Sequence, residues 1–174
     1  MRQAEESHHE QVEAQLAKDA FAWVIDPIDG TRNFLHCLPN VSVAIGIVRA
    51  GEAVAGVVHA PVFDETFTAS AGRGALLNGQ PIRVSGVREL REAAVGTDVN
   101  SRQPELLDRT LGGWRALLLA NTQNVRIRGS AALEICSVAA GRLDGERPSG
   151  IRMLAPPPRR AAARLRRDAL LQSV

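Results

Sequence analysis

A short apolar segment that ends abruptly in two aspartates gives the strongest indication of how this chain folds. Residues 21–25 are apolar and partly β-branched, and residues 26–31 read Asp-Pro-Ile-Asp-Gly-Thr. We expect a buried strand that carries a polar loop at its carboxyl end. The proline restricts this loop, and the glycine permits backbone angles that other residues resist. The sequence therefore predicts two carboxylates held close together at the end of a strand.

The chemistry of this loop suits a hard divalent cation. Asp26 and Asp29 lie three positions apart, and carboxylate and main-chain carbonyl oxygens are the ligands that Mg2+ prefers. The N–H groups of Gly30 and Thr31 would face a phosphate if Thr31 begins a helix. A metal held in this way can ionise a water and stabilise displacement at phosphorus. An ordinary turn is the alternative interpretation of the same residues.

The next part of the chain has the pattern of short strands joined by turns. Residues 41–48, 53–60 and 65–70 are strand-like, and Gly72 and the Asn78-Gly79 pair mark turns between successive segments. The pattern predicts an antiparallel meander.

After Ser85 the pattern becomes mixed. We expect strands at residues 93–97 and 125–128, and helices at 104–111, 114–120 and 131–140. Strands and helices in this order argue for a layered α/β protein.

Several segments resemble the inositol monophosphatase family. Residues 23–34 (WVIDPIDGTRNF) are similar, nearly letter for letter, to the family signature, and Glu5-Glu6 resembles its upstream Glu-Glu segment. Residues 67–79 resemble the family's glycine-bearing hairpin, and residues 129–144 resemble its substrate-side helix. The resemblance implies the αβαβα sandwich of the sugar phosphatase superfamily, here incomplete, and Mg2+ as the cofactor.

The resemblance also implies metal ligands and catalytic residues. The metal ligands would be Glu5, Asp26, Asp29 and the main-chain carbonyl of Ile28. Thr31 would orient or activate the attacking water, so that it forms the catalytic group together with the two aspartates.

A second set of matching residues would bind the substrate. Gly30 and Thr31 would hold the phosphate through main-chain N–H groups, and Gly129, Ser130 and Ala131 would face the leaving-group polyol. For Ser130, the N-cap of a helix is an equally good interpretation.

The reaction implied by the resemblance is hydrolysis of a phosphate monoester, with myo-inositol monophosphate as the first candidate substrate. Related family activities on histidinol phosphate, fructose-1,6-bisphosphate or a nucleotide 3′-phosphate are alternatives. These enzymes differ in the pocket that binds the leaving group. A catalytically inactive remnant that acts as a binding or dimerisation module is the alternative outside the enzymes.

Two departures from the family pattern bear on activity. Family members begin with long helices that contribute an aspartate partner for the threonine, and this chain starts almost at Glu5. Residues 147–174 also contain no Trp-Asp pair, which carries a further metal ligand in the family. We therefore expect a family domain at residues 1–146, truncated at both ends, and weak or absent hydrolysis by the chain.

Composition narrows the expected partners and location. Residues 147–174 carry seven arginines and one acid but no interleaved aromatics, which favours a poorly ordered tail over a nucleic-acid-binding segment. No segment resembles a signal peptide or a membrane span, so we expect a cytoplasmic protein without a membrane partner. The expected partners are a small phosphomonoester and, in a homodimer, a second copy. Cys37 and Cys136 are expected to be reduced thiols.

Overall fold

Six strands that follow one another along the chain form one antiparallel sheet. The computed structural model of the protein describes residues 20–50, 52–97 and 104–147. The strands are β1 (Phe21–Asp29), β2 (Ser42–Arg49), β3 (Glu52–Ala60), β4 (Glu65–Ser70), β5 (Gly74–Leu77) and β6 (Gln80–Pro81). Each strand pairs with the next one in the order β1 to β6. The predicted antiparallel meander is therefore confirmed.

The hairpin between β5 and β6 shows why these residues turn where they do. Asn78 and Gly79 both have positive φ values, 48° and 79°, as a two-residue turn between twisted strands requires. The Asn78 side chain also accepts a hydrogen bond from the Thr66 N–H at 2.7 Å and donates one to the Asp64 carbonyl at 2.9 Å. The turn is thus fastened to the start of β4.

A smaller parallel sheet follows, in the strand order β8-β7-β9. Its strands are β7 (Ala94–Thr97), β8 (Asn124–Arg126) and β9 (Gly145–Arg147). The described α-helices of the protein are α1 (Thr31–Leu35), which follows β1, α2 (Pro104–Leu119) and α3 (Ala131–Ala139). Helices α2 and α3 lie in the connections, as parallel pairing requires. The two helical segments predicted within 104–120 form one continuous helix. The mixed α/β class is confirmed.

Helix α3 packs on one face of the six-stranded sheet and forms the core. The sheet contributes Ala44, Val58, Ala60 and Phe67, and the helix contributes Ala132, Leu133, Cys136 and Ala139. Phe67 is only 1% exposed. The small side chains on α3 let the helix approach the sheet closely, so that Phe67 can be covered on all sides. This packing places the first residues of α3 beside the end of β1.

The apolar side chains of β1 correct one prediction, because they are exposed rather than buried. Phe21, Trp23 and Ile25 are 61%, 66% and 58% exposed. They lie on the sheet face opposite α3, since Ile25 pairs with Ile45 and not with the buried Ala44. The strand is at the edge of the sheet, and no described element covers these three side chains. An apolar segment shows a preference for burial, but burial also needs a covering element.

Some predictions concern residues outside the described ranges. Glu5 lies there, and so do residues 148–174 of the predicted tail. None of the described helices is long and apolar enough to cross a membrane. Among the described residues, Cys37 and Cys136 are both free thiols; Cys136 is buried and Cys37 is exposed.

Candidate active site

The end of β1 contains an irregularity that redirects the two aspartates. Asp26 pairs with Ala44, whereas Asp29 pairs with Ser42, so β1 has one residue more than β2 over this stretch. A bulge of this kind bends the strand and re-aims its side chains. The Asp26 carboxylate accepts a hydrogen bond from the Ile28 N–H at 3.1 Å. The predicted loop is therefore also a locally closed turn, and the two interpretations of its sequence are compatible.

The carboxylate of Asp29 is held by three hydrogen-bond donors, all of them on its Oδ2 atom. The Ser42 hydroxyl and the Ala132 N–H each lie 3.2 Å away, and the Ser130 hydroxyl is the third donor. Ala132 is in the first turn of α3, where N–H groups have no partner within the helix and the helix dipole favours negative charge. Asp29 thereby connects β1, β2 and α3.

Ser130 is the N-cap of α3 and a partner of Asp29 at the same time. Its hydroxyl oxygen accepts a hydrogen bond from the Leu133 N–H at 3.3 Å, while its hydroxyl proton is directed to Asp29. The side chain is fully buried. The N-cap interpretation is correct, and the hydroxyl is next to a predicted metal ligand as well.

Gly30 and Thr31 occupy the corner between β1 and α1. Gly30 has a φ of +82°, and a Cβ at this position would lie only 2.6 Å from the Asn40 carbonyl oxygen. Thr31 begins α1, and its hydroxyl donates to the Ile28 carbonyl at 2.9 Å. The residue type at position 30 is therefore dictated by a close approach of two backbone segments.

Asn33 joins the loop around Gly30 to the loop before α3. Its Nδ2 atom donates to the Asn40 carbonyl and to the Arg128 carbonyl, both at 2.7 Å. Asn33 is buried, and a Cβ on Gly129 would lie 3.1 Å from this same nitrogen. Sequence reasoning missed Asn33, although its place within the 23–34 signature could have revealed it. It also missed Ser42, for which the sequence carries no local signal.

The surrounding charges include a bidentate ion pair. Arg142 donates to Glu65 through both terminal nitrogens, at 2.8 and 2.6 Å. These hydrogen bonds hold the pKa of Glu65 below its usual value and the pKa of Arg142 above its own. Burial raises the pKa of the Cys136 thiol, and the negative charges of Asp29 and Glu65 raise it further. Cys136 is therefore a neutral core thiol and not a nucleophile.

The structure brings the predicted site residues together from two loops. Residues 26–31 form the first loop and residues 129–131 the second, with a buried Ser130 between the exposed Gly129 and Ala131. The predicted ligand Glu5 lies outside the described residues. Within the described part of the chain, no group of three or more His, Cys, Asp or Glu side chains is placed to hold a metal ion.

The oxygen atoms of the first loop nevertheless fit a hard cation. Two carboxylates and the Ile28 carbonyl lie within four residues, and no nitrogen or sulfur ligand competes in that segment. Asp29 Oδ2 carries three donors, whereas no described residue donates a hydrogen bond to its Oδ1 atom. The carboxylate therefore keeps one oxygen available for a ligand.

Comparison with known proteins adds a family match over most of the chain. A family model described as the inositol monophosphatase family matches residues 3–151. Inositol monophosphatase 2 of Solanum lycopersicum is 45% identical over 127 residues, which are 72% of this chain and 48% of that protein. A fructose-1,6-bisphosphatase/inositol-1-monophosphatase of Thermotoga maritima is 45% identical over 122 residues, covering 70% of this chain and 45% of that protein.

The fold is shared with a solved structure as well. The inositol monophosphatase from Anabaena (Nostoc) sp. PCC 7120 aligns with a TM-score of 0.74 and 34% identity, covering 91% of this chain and 59% of that one. The chain spans about half the length of the curated relatives that it matches.

Proposed function

This chain belongs to the inositol monophosphatase family, and on that premise we propose that it hydrolyses a phosphate monoester with Mg2+ as its cofactor. The observation that carries the proposal is the anchored carboxylate of Asp29. Three donors hold its Oδ2 atom, and Asp26 and the Ile28 carbonyl lie in the same loop. A carboxylate held by three donors loses little entropy when a cation binds.

The preferred substrate in this proposal is myo-inositol monophosphate. The support comes from relatives at 45% identity that are named as inositol monophosphatases. The Thermotoga maritima relative is also named as a fructose-1,6-bisphosphatase, so fructose-1,6-bisphosphate is the second candidate substrate. Both are phosphate monoesters of a polyol, and residues 129–131 are the segment proposed to contact the polyol.

In the proposed mechanism, Asp26, Asp29 and the Ile28 carbonyl would hold Mg2+. The cation would supply charge that favours ionisation of water and departure of the alkoxide. The protein's own residues would orient the reactants. Thr31 directs its hydroxyl proton to the Ile28 carbonyl, so its oxygen lone pairs can accept a hydrogen bond from the attacking water. Gly30 and Thr31 would hold the phosphate through main-chain N–H groups.

The proposal also includes a domain division and an assembly. We propose that residues 1–146 form the phosphatase domain and that residues 147–174 are a separate tail in a cytoplasmic homodimer. Phe34, Leu35 and Leu38 lie close together in the sequence and are 56%, 72% and 51% exposed. These exposed apolar side chains support a contact with a second copy, because contiguous apolar patches mark interaction sites.

Calorimetric titration with Mg2+ tests the cofactor, with Asp26→Asn as the variant. We expect saturable binding by the chain and its loss in Asp26→Asn. Asp64→Asn is the matched control, since Asp64 is an exposed turn residue with a positive φ that asparagine tolerates. Unaltered heats in Asp26→Asn, or no binding by the unmodified chain, would overturn the proposed metal site.

Phosphate release then distinguishes the substrates. We expect weak release from myo-inositol 1-phosphate in the presence of Mg2+, and its loss in Asp26→Asn but not in Asp64→Asn. Faster release from fructose-1,6-bisphosphate would favour the second candidate. Mg2+ binding without release from either compound would contradict the enzymatic proposal and favour a binding module.

A further inference from the structure

Ser42 makes a hydrogen bond with Asp29 that the local sequence does not predict. Ser42 begins β2 and is only 2% exposed. The bulge in β1 places Asp29 directly opposite Ser42, and the Ser42 hydroxyl donates to Asp29 Oδ2 at 3.2 Å. A serine at the first residue of a strand is ordinary, so only the register reveals this contact.

The three donors to Asp29 come from two different parts of the fold. Ser130 and Ala132 belong to the start of α3, whereas Ser42 belongs to the sheet. Donors on one side alone would leave the carboxylate free to follow small movements of the helix. The additional donor from the neighbouring strand ties the same oxygen atom to the sheet, and it thereby limits rotation of the carboxylate.

We propose that Ser42 is a positioning residue for Asp29. Its hydroxyl keeps Asp29 Oδ2 occupied, so that Asp29 Oδ1 would be left to bind the cation. This inference rests on the proposed Mg2+ site. Residues that orient a metal ligand through a hydrogen bond commonly affect metal affinity by roughly 10- to 100-fold when they are changed. In this role Ser42 would act on the cation only through its hydrogen bond to Asp29.

A purely structural role for Ser42 makes a different prediction. A buried hydroxyl needs a partner, and the Asp29 carboxylate would satisfy it even if Asp29 had no function. In that case, removal of the hydroxyl would lower stability but would leave Mg2+ affinity unchanged. Ser137 offers the matched control, because it is 3% exposed, donates to the Leu133 carbonyl and accepts from the Arg128 guanidinium, with no hydrogen bond to Asp29.

The test compares Mg2+ dissociation constants of Ser42→Ala, Ser42→Thr and Ser137→Ala by calorimetry, with thermal unfolding measured on each. We expect Ser42→Ala to bind Mg2+ about 10-fold more weakly or worse, in line with effects on metal-orienting residues. Ser42→Thr keeps the hydroxyl and should restore most of the affinity. Ser137→Ala should lose stability while it binds Mg2+ like the unmodified chain.

Two outcomes would overturn the inference separately from the proposed function. If the unmodified chain binds Mg2+ and Ser42→Ala binds it equally well, Ser42 has no positioning role although the metal site stands. If Ser42→Ala does not fold, Ser42→Cys replaces it, because a thiol fills the space but donates weakly; unchanged affinity in that variant would again refute the role. If the unmodified chain does not bind Mg2+ at all, the proposed function and this inference both fail.

Discussion

The main-chain N–H of Ala132 donates a hydrogen bond to the Asp29 carboxylate at 3.2 Å, although 103 positions separate the two residues. The bond connects the end of an edge strand to the first turn of a helix that forms the core. The start of a helix favours negative charge, so the first turn of α3 is a suitable partner for a carboxylate. The packing of α3 on the sheet is therefore what assembles the candidate site.

Removal of the Thr31 hydroxyl should slow hydrolysis much more than it weakens Mg2+ binding. In the proposed mechanism, Thr31 orients the attacking water through its oxygen lone pairs. We expect Thr31→Ala to lower kcat by about 100-fold or more, a typical loss for a group that assists proton transfer. Thr31→Ser keeps the hydroxyl and should retain most of the rate. Phosphate release and calorimetry on the same samples check this, and an unchanged rate in Thr31→Ala would contradict it.

A methyl group at Gly30 should destabilise the fold more than one at Gly72. Both glycines have positive φ values, +82° and +79°, but only Gly30 has a backbone oxygen 2.6 Å from the position of the added Cβ. We expect a loss of about 1 kcal/mol in unfolding free energy for Gly72→Ala, from backbone strain alone, and at least about twice that for Gly30→Ala. Urea denaturation measures both. Equal losses would mean that the close approach is absent.

Truncation of Phe67 should show that α3 and the sheet share one core. We expect Phe67→Ala to lower the unfolding free energy by about 3–5 kcal/mol, as for other buried phenylalanines. Phe63 in the turn before β4 is 47% exposed, so Phe63→Ala should cost about 1 kcal/mol or less. Denaturant unfolding that found similar losses for the two variants would be inconsistent with the described packing.

The Arg142–Glu65 pair should stabilise the protein at neutral pH and lose its effect in acid. Arg142 holds the pKa of Glu65 below its usual value, so the stabilising contribution is complete above the unfolded-state pKa, near 4.3 for glutamate. It disappears as the pH falls through the lowered folded-state pKa. Because Arg142 is about half exposed, solvent screening limits the contribution to about 1 kcal/mol.

Unfolding measured from pH 8 to pH 3 checks this dependence with Glu65→Gln. We expect this variant to be less stable above pH 5 and to approach the unmodified chain at the acidic end. Glu89→Gln is the control, because Glu89 makes only a long and exposed ion pair with Arg91 among the described residues, at 3.9 Å. A stability difference between Glu65→Gln and the unmodified chain that grows as the pH falls would contradict a stabilising Arg142–Glu65 ion pair.

Features that depend on neighbouring residues follow from the sequence. The Asn78-Gly79 turn, the strand at 65–70 and the N-cap at Ser130 all reflect local backbone preferences and short-range hydrogen bonds. Such features depend on residues only a few positions apart, so the sequence pattern alone predicts them. The signature at residues 23–34 likewise identified the family, since its spacing of aspartates, glycine and threonine is specific.

Features that depend on distant parts of the chain were decided only by the tertiary structure. The exposure of Trp23 could not be inferred, because an apolar segment does not reveal whether another element covers it. The contacts of Ser42 and Asn33 depend on strand register and on the approach of loops that are far apart in sequence. Local preference determined each element, but the placement of Asp29 among donors from β2 and α3 required long-range packing, which no local pattern encodes.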